Sequence, residues 1–328
     1  MGTNLPARYQ LVSELGRGGG GQVWAVTDRL TGTTVALKAL TDGACEQEMQ
    51  SLVREAVALS GLEGLGVPRV LRFGRLPASG RAYMVRELVE GQSLLHLIEN
   101  SMGDPSECLD ALARTADQLT GLHRAGLLHG DIKPANIIVG PHRATLVDLG
   151  LCVSWREGGT RPEGLTPRFA APELFSGFPL TIRAEIFAIG STLEEILEHA
   201  DKLAPENLEQ LKAIAARATH QQPAHRFPSA DEFASALRHA AHIPSPSPAH
   251  LNVDASWAVL GVDGASNLLL SRIATLAQGS VLAIEGKFGS GRSALLRRAA
   301  WTLGVQGRDV AWIEHLATLP MIDAIEIE

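Results

Sequence analysis

An α+β fold of two lobes, the first β-rich and the second mostly helical, is predicted for residues 1–241 from three observations. Apolar and β-branched runs up to about Met84 show one helical interruption; beyond Glu90-Gly91 the apolar spacing turns helical; and a loop rich in Asp and Asn lies between the first two long helices of that part. Gln10 to Leu15, Val23 to Thr27 and Thr34 to Leu40 read as strands, joined by turns at Gly18 to Gly21 and at Thr31-Gly32. Met49, Leu52, Val53, Ala56 and Leu59 recur at helical spacing, which predicts a helix over Glu46 to Leu62. Leu109 to Ala125, Ile182 to His199, Leu208 to Ala218 and Ala230 to Ala241 are helical by the same test. The lobes are therefore expected over about 9–86 and about 91–241. Pro244, Pro246 and Pro248 then remove backbone donors in close succession, so 242–253 reads as an extended linker before a further segment over 254–328.

With 328 residues, 45% of them hydrophobic and 20% charged, the chain has material for about two domains and a sizeable core. Lys and Arg number 29 against 36 Asp and Glu, a net charge of −7, which argues against a nucleic-acid footprint. No run of 18 uninterrupted apolar residues and no charged start followed by an apolar stretch occurs, so neither a membrane span nor an export signal is expected. Cys45, Cys108 and Cys152 are odd in number and lack ligand spacing, and are read as reduced thiols of a cytoplasmic protein.

The chemistry concentrates in His129-Gly130-Asp131-Ile132-Lys133-Pro134-Ala135-Asn136 and, about a dozen residues on, Asp148-Leu149-Gly150. A lone loop Asp is usually a turn former or a cap. Three oxygen ligands in register between apolar runs point instead to phosphoryl transfer, in which one carboxylate orients the attacking hydroxyl while an Asn and a second carboxylate hold magnesium against the phosphates. Asp131, Asn136 and Asp148 fit those roles. Gly16-Arg17-Gly18-Gly19-Gly20-Gly21-Gln22-Val23 fits a glycine-rich hairpin that lets backbone approach phosphates, a weak signal by itself. Its partner is Val35-Ala36-Leu37-Lys38, whose ammonium on the third strand is placed to reach phosphate; Glu48 and Glu55 are the two carboxylates on the following helix able to hold it, Glu55 being preferred.

With these pieces in order, Tyr9 to about Ala241 resembles a eukaryotic-type serine/threonine protein kinase of the kind found in bacteria; Ala171-Pro172-Glu173 completes the motif set. The resemblance implies the two-lobed protein kinase fold, with ATP and Mg2+ as cofactors and a Ser or Thr hydroxyl of a protein, this chain itself included, as acceptor. Asp131 is then the base and Lys133 the stabiliser of the moving phosphoryl group, with Asn136 and Asp148 on the metal. Leu15, Gly16, Gly18, Gly21, Val23, Ala36, Lys38 and Glu55 fall to the nucleotide, as do the backbones of Glu87 and Val89 in a connector between the lobes. Thr166 takes a position that contacts the base, and Glu173 and Arg226 a buried ion pair.

Three residues depart from the pattern. Gly130 stands where many such kinases carry an arginine that pairs with a phosphate on the activation segment, Glu185 replaces an Asp, and Arg86 falls at the back of the adenine pocket. A buried guanidinium needs an acid, and Glu55 and Asp148 are the nearest by sequence reasoning. Two rival readings follow: a catalytically silent, ATP-binding scaffold, and a small-molecule phosphotransferase, the latter opposed by Lys133, Ala171-Pro172-Glu173 and the glycine loop. Beyond the linker, Val281 to Ile284 reads as a strand leading into Gly286-Lys287-Phe288-Gly289-Ser290-Gly291-Arg292-Ser293, a near match to a phosphate-binding loop with Arg292 in place of Lys, then a helix from Ala294 to Leu303 and a second strand over Val310 to Ile313. The tail thus resembles the start of an AAA-like or signal-transduction ATPase domain.

Overall fold

A computed structural model describes residues 5–18, 21–62, 67–100, 105–141, 143–154, 164–200, 205–244, 263–277 and 279–285, with 292, 295, 296, 299, 303, 310 and 311. In chain order the elements are β1 (Tyr9–Gly18), β2 (Gly21–Asp28), β3 (Thr34–Ala39), α1 (Glu46–Gly61), β4 (Val70–Arg75), β5 (Ala82–Glu87), β6 (Gln92–Ser93), α2 (Leu94–Asn100), α3 (Ser106–Arg124), β7 (Leu127–Leu128), β8 (Ile137–Val139), β9 (Ala144–Leu146), β10 (Val153–Ser154), the single turn α4 (Pro172–Phe175), α5 (Ile182–Glu198), α6 (Pro205–Ala218), α7 (Ala230–Ala241), α8 (Asp263–Ala274) and β11 (Val310–Ala311). No described helix is long and apolar enough to cross a membrane.

The chain divides into two compact units, Met1–Val53 with Arg69–Leu88 and Leu260–Glu328, and Arg54–Pro68 with Val89–Val259. The first is built on a six-stranded sheet of order β1-β2-β3-β5-β4-β11, antiparallel throughout. Alternation along its strands sends Trp24, Val26, Val35, Leu37, Tyr83 and Val85 into one apolar cluster closed by Tyr9 and Leu76. Each fully buried side chain of this size contributes about 1.5–3 kcal/mol. Burial pushes the Tyr9 phenol up to about 12, the neighbouring Arg8 guanidinium opposing that shift. Arg8 in turn clamps Asp28 through two hydrogen bonds of 2.8 and 2.7 Å, fastening the segment before β1 to the end of β2.

Gly21 opens β2 at φ +122°, and a Cβ there would lie 2.3 Å from the carbonyl oxygen of Ala39. Its glycine is therefore required by the close approach of β2 to β3, before any ligand is considered.

In the second unit α3 packs against α5 and α7, and buried Leu109, Leu112, Ala116 and Leu119 form the apolar stripe of α3. Thr181 caps α5 by accepting from Ala184 N at 3.1 Å, and Arg238 of α7 pairs with Asp117 of α3. Two short sheets, β6-β8-β9 and β10-β7, brace the loops between these helices.

The named strands and helices of residues 1–241 are present with their ends moved by a few residues, and β4, β5, β6, α2 and α8 are among the additions. Helix α8 has Leu268, Leu269 and Leu270 in succession instead of at helical spacing, so periodicity did not mark it. The tail requires correction. Residues 281–284 belong to no strand and Val281 is 86% exposed, since among the described residues no strand pairs with that backbone. Of the second expected strand, Val310–Ala311 is present and pairs with β4. Residues 286–291 and 293 of the phosphate-loop match lie outside the described residues, as do 245–253 of the expected linker and 254–262 after it; 292, 295, 296, 299 and 303 are helical.

Candidate active site

The site residues of the second unit are set by short elements whose backbones are locked together. Leu128 ends β7, Pro134–Asn136 forms one 3-10 turn, and Val147 N donates to Asn136 O at 2.9 Å, which ties the loop after β7 to the loop after β9. His129 is fully buried and spans the same two loops: its Nε2 lies 3.1 Å from Val147 O, and its Nδ1 accepts from Asp131 N at 3.2 Å. A proton on Nε2 satisfies both contacts.

Asp131 is the centre of this constellation. Lys133 Nζ donates to its Oδ2 at 2.6 Å, Asn136 Nδ2 donates to the same oxygen at 2.9 Å, and Thr166 Oγ1 donates to Oδ1 at 2.7 Å. Lys133 Nζ also donates to Thr166 Oγ1 at 3.1 Å. An ionised carboxylate offers about four acceptor positions. Three are filled, which leaves room for one hydroxyl donor. Beside Asp131 opens a pocket walled by Ile132, Leu165, Phe169, Leu174 and Leu180.

Asp148 is held at φ 66°, ψ 65°, a left-handed conformation rare for a residue with a side chain. The Nδ2 of Asn136 is committed to Asp131 O at 2.8 Å as well as to its carboxylate, so Oδ1 is the atom of Asn136 available to a cation. Oxygen from Asn136 and Asp148, on two joined loops, suits Mg2+, which takes one or two protein oxygens and completes its shell with phosphate and water. Among the described residues no group of three His, Cys, Asp or Glu side chains is arranged to hold a metal.

Behind the loop, Glu185 of α5 accepts from Gly130 N at 2.7 Å through Oε1 and lies 2.7 Å from His123 Nε2 through Oε2, with both side chains buried. The longer carboxylate thus anchors the loop from α5. Gly130 sits at φ +87°, and a Cβ there would lie 2.3 Å from Leu151 O. Gly130→Ala is expected to cost at least about 1–2 kcal/mol from the left-handed backbone alone, with the clash added; a urea midpoint equal to wild type overturns this account. The roles of His123 and His129 escaped sequence reading, because their partners are 62 and 18 residues away and no local pattern marks them.

In the first unit, Lys38 lies on β3 between Val23 of β2 and Met84 of β5 and is 6% exposed. Ala36 lies between Ala25 and Arg86, and Arg86 is itself 8% exposed. Leu15, Gly16 and Gly18 lie on β1, with Gly18 opposite Gly21; residues 19 and 20 lie outside the described residues. Glu87 N donates to Arg69 O at 2.9 Å, at the end of β5 where Glu87 pairs with Val35. The two carboxylates of α1 differ sharply. Glu48 is spent at the helix start, accepting from Cys45 N at 2.7 Å, whereas Glu55 is fully buried. Val89 opens the longer segment of the second unit and is half-buried.

Comparisons with known proteins agree with this geometry. Residues 9–246 match the protein kinase domain family. The chain is 31% identical over 202 residues to the DNA damage-responsive serine/threonine-protein kinase RqkA of Deinococcus radiodurans, which covers 60% of this chain and 30% of that protein. It is 27% identical over 350 residues to the serine/threonine-protein kinase PknA of Mycobacterium tuberculosis, covering 94% of this chain and 80% of the relative. Among solved structures, the PknI kinase domain of M. tuberculosis superposes with a TM-score of 0.56 at 25% identity, over 72% of this chain and 96% of that one. The chain belongs to the protein kinase domain family, beside the bacterial serine/threonine kinases.

Proposed function

We propose that this chain transfers the γ-phosphoryl group of ATP to Ser or Thr hydroxyls of proteins, in the cytoplasm, with Mg2+. The observation that carries the reading is the carboxylate of Asp131, held on three sides by Lys133, Asn136 and Thr166 with one acceptor position open. There an incoming hydroxyl donates its proton and is aimed at the phosphorus. Lys133, 25% exposed at its side chain, keeps a positive charge next to the transferring group. Asn136 and Asp148 would hold the cation, which supplies charge neutralisation on the phosphates. Lys38, Glu55 and the backbones of Glu87 and Val89, with Leu15, Gly16, Gly18, Gly21, Val23 and Ala36, are assigned to the nucleotide. Free thiols at Cys45, Cys108 and Cys152 support a reducing compartment.

The Lys133–Thr166 contact favours a protein acceptor over a small molecule, since it couples the catalytic loop to the segment that precedes Ala171-Pro172-Glu173. Phosphate incorporation from labelled ATP, with phosphoamino-acid analysis, tests this. Asp131-dependent phosphoserine or phosphothreonine is expected, in the chain itself or in a basic protein substrate; ATP binding with no incorporation overturns it in favour of a scaffold. Because Gly130 offers no guanidinium to a phosphate, activity is expected without phosphate on Ser154, Thr160 or Thr166. A phosphatase-treated preparation should keep its rate; an inactive one that recovers on rephosphorylation refutes the point. Thr160 lies outside the described residues. For residues 286–293, Arg292 keeps a charge toward phosphate but is planar and bulkier than Lys, so the reading extends to phosphate binding and not to hydrolysis.

A further inference from the structure

The sheet of the first unit ends on an element that belongs to the far end of the chain. Val310 pairs with Phe73 and Ala311 with Arg72, antiparallel, so β11 covers the side of β4 that faces away from β5. Without it β4 is an edge strand, a row of unpaired backbone donors and acceptors that recruits any extended chain. We propose that this edge is a strand-addition site whose occupant is the chain's own segment Val310–Ala311, an intramolecular cap on the sheet that carries Lys38.

Two features favour this occupant. The strand order runs β3-β5-β4-β11, so β5 and β4 lie between the cap and the strand that carries the lysine. Charge is complementary as well: Arg69, Arg72 and Arg75 lie on or beside β4, while residues 312–328 hold Glu314, Asp323, Glu326 and Glu328 and no Lys or Arg. Two paired residues make a weak attachment, each hydrogen bond being worth about 1 kcal/mol net, so the cap can leave and return.

Cysteine pairs in the full chain, with Cys45→Ser to remove the exposed thiol, test it. Phe73→Cys with Val310→Cys, and Arg72→Cys with Ala311→Cys, should form intrachain disulfides under mild oxidation, because directly opposed residues fall within the Cα separation a disulfide spans. Arg75→Cys with Ala311→Cys, three residues out of register, should not. Absence of intrachain bonds in both registered pairs, or equal yield in the offset pair, overturns the proposal; bonds only between chains replace the occupant with a second copy. In parallel, Ala311→Pro removes a backbone donor, and the β4 amides should then exchange about tenfold faster. Amides of β1 and β2 should keep their protection, which separates loss of the cap from loss of the fold. Unchanged exchange at β4 also overturns the proposal.

Discussion

Asp131→Ala lowers the phosphoryl-transfer rate by about a thousandfold, within the range expected when a positioned base is removed. ATP affinity should change little, because the nucleotide is assigned to other groups. Single-turnover transfer and equilibrium nucleotide binding, measured on the same preparation, separate the two quantities. The variant also leaves Lys133 Nζ and Asn136 Nδ2 without one acceptor each, in a region where the Asp131 side chain is 11% exposed, so a modest loss of stability accompanies the loss of rate. Asp131→Asn keeps the shape but turns an amide toward Lys133, and it should be nearly as slow. Full activity in either variant removes Asp131 from its assigned role.

Arg226→Met should destabilise the fold by about 3–5 kcal/mol, the cost of leaving one partner of a buried ion pair alone. All five guanidinium donors of Arg226 are used. Nη1 and Nη2 grip Glu173 at 2.7 and 2.8 Å; Nε donates to His220 O at 2.7 Å, and the remaining two reach Arg183 O at 2.9 Å and Gln221 O at 3.2 Å. The residue is 1% exposed. Against a typical total stability of about 5–15 kcal/mol, this is a large fraction. Arg226→Lys should recover little, since a single ammonium with three donors replaces a planar fork with five. Urea unfolding with an unchanged slope reports the difference. A loss below about 1 kcal/mol shows that the pair is not the anchor that its geometry describes.

Glycines divide according to what each reading was able to see. Gly21 and Gly130 were legible as motif positions, one in the glycine-rich hairpin and one where an arginine was expected. Their reason is steric: a Cβ at either meets a backbone oxygen at 2.3 Å, on strands or loops distant in sequence. Glu48 and Glu55 show the same limit. Both lie on one predicted helix, and composition alone left either able to serve Lys38. Burial of Glu55 and use of Glu48 at the helix start distinguish them, and burial is a property of neighbours that one segment does not contain.

The sequence by itself determined the fold class and the strands and helices named for residues 1–241, and it marked Asp131, Lys133 and Asn136, which the structure brings together, because periodicity and short-loop spacing are local. Tertiary structure decided which groups hold that cluster in place: Glu185 and His123 behind Gly130, His129 between two loops, Arg226 on Glu173. It also decided the fate of the tail, where an apolar run read as a strand at 281–284 pairs with no strand among the described residues and Val310–Ala311 finds its ladder on β4. A strand is completed by the neighbour that accepts its hydrogen bonds, and no stretch of sequence names that neighbour.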